Sequence, residues 1–420
     1  MINWLKQQRL DRVYWWVYIF LLVLAVLSIF SASSTLVYQR HSILGPVSKQ
    51  MLFLAIGFIV AFVVQFVPLW ITRMGGYAIW FVSVVCLYLI MNVDSKFAMD
   101  AHEASRWINL GGISFQPSEP AKLGLILVIA DMLSRIRTEE DKTKYFYITL
   151  GVMAITVLPI FPHNLSTAIL IAGITVVMWF LAHIPWKYVL SFIGICAILL
   201  IVGYFIVEFG YVRPGRDLPK PIKRAETWVS RVDRALAEMG QPAAEFKMTD
   251  DNYQSTLAKV AIARGGASPI GVGPGNSKER DFLPLAYMDY IFAIIVEEGG
   301  IVIAAFLILL YLVVLFRACF TSNRFNDYAS MLTSMGLALM ITCQALISMM
   351  VAVGLGPVTG QPLPLISMGG TSVIITSAYF GIMMSISREQ KMLQEQQQQT
   401  AHESVEDVPI IHMDDTGLPY

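Results

Sequence analysis

The sequence predicts an all-α polytopic integral membrane protein, with about ten transmembrane helices and one long outer-face loop between the seventh and eighth. Three observations predict it. Of 420 residues, 56% are hydrophobic and only 14% are charged, whereas soluble domains carry about 25% charged residues. Mean hydropathy is +0.62. Apolar runs recur at lengths near the roughly 20 residues that a helix needs to cross about 30 Å of hydrocarbon.

Taken in order, residues 1–13 form a basic N-terminal tail, MINWLKQQRLDR and the residue after it. The apolar run that follows exceeds the roughly 7–15 residues of a signal-peptide core, so it predicts an uncleaved first span. The ten predicted spans are 14–34, 50–69, 76–93, 119–134, 145–161, 164–183, 186–208, 287–317, 328–354 and 363–386. Together, residues 14–388 make one membrane domain. Residues 389–420 form a glutamine-rich, then acidic tail, which composition predicts as a short helical extension followed by disorder.

The positive-inside rule sets the orientation. With the N-terminus inside, thirteen Lys and Arg residues near span ends face the cytoplasm, against four in the short loops opposite (Arg40, Lys49, Lys96, Arg106). Both termini are therefore expected in the cytoplasm. A formal net charge of zero argues against nucleic acid as a partner. Cys86, Cys196, Cys319 and Cys343 lie in apolar runs without paired spacing, so they read as small buried residues and neither disulfides nor metal ligands.

Residues 209–286 form the long outer loop, with a basic cluster at Arg213, Arg216, Lys220, Lys223 and Arg224. Helices are predicted near 225–239 and 252–264, ahead of the glycine-rich GGASPIGVGPGNS. A loop this long among tight connections points to function.

Four polar segments fall on the outer face. The first runs from Arg106 through Gly112 to Gln116-Pro117-Ser118-Glu119-Pro120-Ala121-Lys122. Ser118 is the expected N-cap and Pro120 lies in the first turn. Glu119 and Lys122, three residues apart, can pair. They either neutralise two buried charges or meet a substrate. The second segment is Pro162-His163-Asn164-Leu165-Ser166-Thr167-Ala168, where Asn164 and Thr167 suit a helix cap. The fourth, from Gly354 to Ser372, contains LPLISMGGTS. Its glycines and prolines interrupt helicity at membrane depth, where backbone must line a cavity or be buried in protein.

The third segment, FLPLAYMDYIFAIIVEEGG, places Asp289, Glu297 and Glu298 in an apolar stretch. A carboxylate at the edge of hydrocarbon costs on the order of 2.5 kcal/mol or more, so it needs a partner or a task. On one continuous helix Glu297 would lie about 80° around from Asp289, with Glu298 nearly opposite, so the three would not form one metal cluster. Asp289 comes first, where water and substrate could reach a general base. Glu297 and Glu298 are expected about two turns deeper, bonded to neighbouring helices.

RWINLGGISFQPSEPAKL, GNSKERDFLPLAYMDYIFAIIVEEGG and LPLISMGGTS, in this order, resemble the SEDS family of cell-wall proteins, the FtsW and RodA group, over about residues 14–388. The resemblance implies a peptidoglycan glycosyltransferase that polymerises lipid II on the outer face of the cytoplasmic membrane, with a class B penicillin-binding protein as transpeptidase partner. TGQPLPLISMGGTS and KRAETWVSRVDR are more like FtsW, which implies septal synthesis beside other divisome proteins. Some positions depart from the family pattern: Tyr287-Met288 replaces the His-Thr before the catalytic Asp, Asn164 stands for an Asp, and Thr359 stands for the Lys of many FtsW proteins.

The resemblance makes Asp289 the base. The candidate substrate-binding residues are Arg106, Glu119, Lys122, Arg213, Arg216, Ser367, Gly369 and Gly370, with the arginines placed to meet a leaving diphosphate. A divalent cation, Mg or Mn, is the one cofactor left open. The alternatives are a lipid II flippase, which polar intramembrane residues and broken helices also suit, and a RodA-type elongation polymerase.

Overall fold

The computed structural model describes residues 10–32, 44–92, 108–110, 113–205, 228–233, 252–279, 282, 288–322 and 327–406. The helices in chain order are α1 (Arg12–Ala32), α2 (Leu44–Val64), α3 (Leu69–Asn92), α4 (Ser118–Leu133), α5 (Glu139–Ile160), α6 (Leu165–Leu181), α7 (Trp186–Phe205), α8 (Tyr253–Gly266), α9 (Ile291–Ser322), α10 (Tyr328–Ala352) and α11 (Gly370–Glu406). A helix lies at each of the ten expected positions. Eight of them among the described residues are long and apolar enough to cross a membrane. The other two, α4 and α6, have 16 and 17 residues.

The all-α expectation holds, with one small addition. Ile108–Leu110 (β1) and Ile113–Phe115 (β2) pair antiparallel, Asn109 opposite Ser114.

Several expected boundaries are corrected. The tenth span begins at Gly370 and not at 363, because the proline-rich stretch before it cannot be helical. Its helix continues to Glu406, so the tail extension is longer than expected. The eighth span is broken at Gly300, whose φ of 67° and ψ of −168° are not helical. The long apolar run therefore starts at 301, and residues 291–299 form a separate short helix. The four cysteines are free and half-buried. In the long loop α8 occupies the second predicted helix. Of the first, 228–233 is helical, and the remainder lies outside the described residues.

Polar pairs join helix ends in two groups, as alternating spans require. At the end assigned to the cytoplasm, the Asp11 carboxylate, 1% exposed, accepts from Arg317 Nε (2.9 Å) and Nη2 (2.7 Å) and from Ser387 Oγ (2.6 Å). This ties the start of α1 to α9 and α11. Burial alone would raise the Asp11 carboxyl, but those hydrogen bonds and the Arg317 charge hold it below its ordinary value. Arg73 also pairs there with Asp327, the N-cap of α10.

Between the ends, packing is close. Helix α4, with nearly every residue buried, lies along α3. At Gly124 an added Cβ would sit 2.5 Å from the Trp80 nitrogen and 2.6 Å from its Cα. Helix α7 is the opposite case, with only Val189 buried, so its apolar surface fits a lipid-facing position. Gly124→Ala is expected to force α3 and α4 apart and to destabilise the protein by about 1–3 kcal/mol. Thermal unfolding of the purified chain in detergent measures this, and an unchanged midpoint would contradict the close approach.

Candidate functional site

Three of the four polar segments meet at the end assigned to the outer face. The link is a buried charge on α4. Lys122, 1% exposed, donates from Nζ to Glu119 Oε1 and to Gln344 Oε1 of α10, each at 2.8 Å. Glu119 is 4% exposed. Gln344 in turn donates from Nε2 to the Pro362 carbonyl at 3.1 Å. Gln361 donates to Thr167 Oγ1 at 2.5 Å, which brings in the second segment. The Gln116 backbone N–H meets Thr371 Oγ1 at 3.5 Å, joining the β2–α4 turn to the start of α11.

Local rules explain most of this placement. Asn164 caps α6 by accepting from the Thr167 N–H at 3.1 Å, as expected. The expected N-cap of α4 is corrected. Pro117 occupies that position in helical conformation, and Ser118 is already the first helical residue. This leaves Gln116, Ser118 and Asn164 on a small, partly open groove of about 30 Å³ with apolar walls at Leu87, Ile90 and Ile160.

The segment before α11 is irregular and buried. Leu365, 2% exposed, has φ of 65°, a left-handed value that a leucine rarely adopts. Tyr311 of α9 holds it by donating to the Pro364 carbonyl at 2.6 Å. Ser367 Oγ accepts from the Leu363 N–H at 2.8 Å, closing a turn within the segment. An added Cβ at Gly370 would come within 2.7 Å of the Phe53 ring. Gly370 therefore serves the close approach of α11 to α2, whereas Gly369 has room for a side chain.

Asp289 lies half-buried in the turn before α9, and the residues after it, Tyr290 to Glu297, are all buried. Glu297 and Glu298 stand about two turns beyond Asp289 on the short helix, as expected, and the Gly300 break follows them. Glu298 accepts from Ser31 at the outer end of α1. Glu297, fully buried, accepts from Arg264 Nη1 (3.1 Å), the Lys278 N–H (3.1 Å) and Ser277. Both bond to neighbouring elements, as expected. Arg106, Arg213 and Arg216 lie outside the described residues. Among the described residues no three His, Cys, Asp or Glu side chains gather to hold a metal ion.

Sequence reasoning missed Gln344 as the hub between Lys122 and Pro362. The available signal was a lone amide in an otherwise apolar run, costly unless it has partners. Removing one partner from the Lys122 cluster leaves an uncompensated charge. Lys122→Met is expected to cost about 3–5 kcal/mol of stability, with most of it returned by Glu119→Gln in the same chain. Detergent melts of the single and double variants check this, and an unchanged Lys122→Met melt would refute it.

Comparison with known proteins places this arrangement in a family. A family model described as "Cell cycle protein", FtsW/RodA/SpoVE, matches residues 11–392. The chain is 30% identical over 394 residues to a probable peptidoglycan glycosyltransferase FtsW of Saccharophagus degradans, covering 91% of this chain and 93% of that one. It is 27% identical over 373 residues to the peptidoglycan glycosyltransferase MrdB of Escherichia coli, covering 89% and 92%. A solved structure, reported as the structural coordination of polymerization and crosslinking by a peptidoglycan synthase complex, superposes with a TM-score of 0.68 at 23% identity. The match covers 91% of this chain and 98% of that chain. With the family model matched over residues 11–392, the chain belongs to the FtsW/RodA/SpoVE family of cell cycle proteins.

Proposed function

We propose that the protein is a peptidoglycan glycosyltransferase that polymerises lipid II on the outer face of the cytoplasmic membrane, with Asp289 as general base. The names of its relatives support the activity. The observation that carries the residue assignment is the placement of Asp289. It is a part-exposed carboxylate two residues before a short helix that is buried from Ile291 to Glu297. A rigid, buried support behind a carboxylate that solvent can reach is what a positioned base needs.

In this mechanism the 4-hydroxyl oxygen of the acceptor sugar attacks the anomeric carbon of the donor. The new carbon–oxygen bond forms as the bond to the lipid diphosphate breaks, and the hydroxyl proton passes to the Asp289 carboxylate. Arg106, Arg213 and Arg216 supply positive charge for the departing diphosphate. Lys122 and Glu119 hold the outer ends of α4 and α10 together beneath the substrate, with Ser367, Gly369 and Gly370 on the adjoining segment. No step is routed through a metal ion.

The partner is a class B penicillin-binding protein, by analogy with the synthase complex in which polymerization and crosslinking are coordinated. We assign the protein to septal synthesis, with the divisome, on the FtsW-like TGQPLPLISMGGTS segment. Both termini lie in the cytoplasm on the asymmetry of Lys and Arg.

Asp289→Ala is expected to lower polymerisation of purified lipid II by about 100-fold or more, the span of general-base catalysis, without loss of folded protein. Full activity of that variant would defeat the assignment. No polymer from the wild type with its partner, alongside lipid II translocation in vesicles, would favour a flippase instead. Depletion in cells separates the two cellular roles: filaments indicate septal synthesis, and rounding indicates the RodA-type elongation role.

A further inference from the structure

Glu297 is the most deeply buried carboxylate among the described residues, at 0% exposure, and it lies on the element that follows Asp289. Its environment is built by another part of the chain. The two carboxylate oxygens accept from Arg264 at the end of α8, from the Ser277 hydroxyl and from the Lys278 backbone N–H. A carboxylate is acceptor-only, so it takes all three donors at once.

The backbone around it is fitted in the same way. The break at Gly300 deprives the last carbonyls of the short helix of their helical donors. The Val272 N–H bonds to the Glu297 carbonyl (2.9 Å) and the Gly273 N–H to that of Glu298 (3.0 Å). In return the Val302 N–H bonds to the Pro269 carbonyl (3.1 Å). Gly265 permits the contact, since an added Cβ would lie 2.1 Å from the Val296 carbonyl oxygen.

We propose that Glu297 is the positioning residue for Asp289. Through Arg264, Ser277 and Lys278 it clamps the 264–278 segment across one end of the short helix, and so fixes the carboxylate at the other. The role rests on the reading of Asp289 as the base. The short helix is about 13 Å long at 1.5 Å per residue, so a tilt of about 5° at the clamp moves Asp289 by about 1 Å. A displacement of that size can cost on the order of 100-fold in rate. A buried ion pair that merely stabilised the fold would change the amount of folded protein but not the rate per folded molecule.

The test uses the full chain with its transpeptidase partner, comparing wild type, Asp289→Ala, Glu297→Ala and Glu297→Gln. Glu297→Ala is expected to speed amide exchange in 265–279 and 291–299 at least tenfold. It should lower kcat per folded molecule at least tenfold with KM within twofold, and shift the acidic limb of the kcat–pH profile. Glu297→Gln, which keeps the shape and an acceptor oxygen, should stay within threefold of wild type. If Glu297→Ala does not fold, Arg264→Ala removes one donor and should move the same readouts in the same direction. Unchanged exchange, or unchanged kcat per folded molecule while Asp289→Ala is inactive, overturns this inference alone. No polymer from the wild type overturns it together with the glycosyltransferase reading.

Discussion

A polar group inside hydrocarbon must find its partner within the protein, and the outer half of this molecule is arranged around that constraint. Lys122 carries a full charge one turn into a 16-residue helix, at 1% exposure. Glu119 answers the charge, and Gln344 takes a second of the three ammonium donors. Because the Gln344 amide also donates to Pro362, satisfying one ammonium fixes α4, α10 and the irregular segment before α11 together. The energetic penalty for leaving any member unpaired makes the arrangement specific. A hydrophobic contact of equal size would hold these elements together without setting which atoms meet.

The same constraint governs the two places where helicity fails. Before α11, backbone groups of residues 362–367 bond to Gln344, Tyr311 and Ser367, so the irregular stretch is tolerated although buried. At Gly300 the rescue comes from farther along the chain, through 269–273 of the long loop. The long loop is thus part of the folded membrane domain in the region described, with its 252–279 portion packed against α9. Trp228 stacks edge-on against Phe161, and Arg231 donates to the Val358 carbonyl, extending that attachment to α5 and to the segment before α11.

The fold was largely legible because span length and apolarity are local properties of a sequence. Helices appear at all ten anticipated positions, and α8 was foreseen within the long loop. The misplacements share one cause. Residues 363–369 are apolar enough to pass for part of a span, and the Gly299-Gly300 pair leads straight into a long apolar run, so hydropathy hides both interruptions. Of the candidate site residues, Glu119 and Lys122 were readable as a pair from their spacing. Their third partner was not, since 222 positions separate Lys122 from Gln344. The role of Gly370 was equally hidden, because what it accommodates is the Phe53 ring on another helix.

The chemistry proposed for this fold uses two kinds of support. Lys122 joins Glu119 and Gln344 inside the helix bundle, and Gln344 passes the connection on to Pro362, a chain of buried bonds that holds shape. A base that receives a proton must instead meet solvent and substrate. Asp289, the base proposed here, stands part-exposed before a helix whose residues Ile291 to Glu297 are buried. A full transmembrane helix could present such a group only with the orientation of the whole span. The break at Gly300 frees the orientation of residues 291–299 from that of 301–322, and the long loop then sets it through hydrogen bonds to Glu297 and to the adjoining carbonyls. With the orientation proposed, that loop lies on the outer side, and a protein docked there would act on the helix that follows Asp289 through contacts already present in the fold. For a crosslinking partner of the kind proposed, these contacts are a physical route to Asp289 that does not require entering the helix bundle.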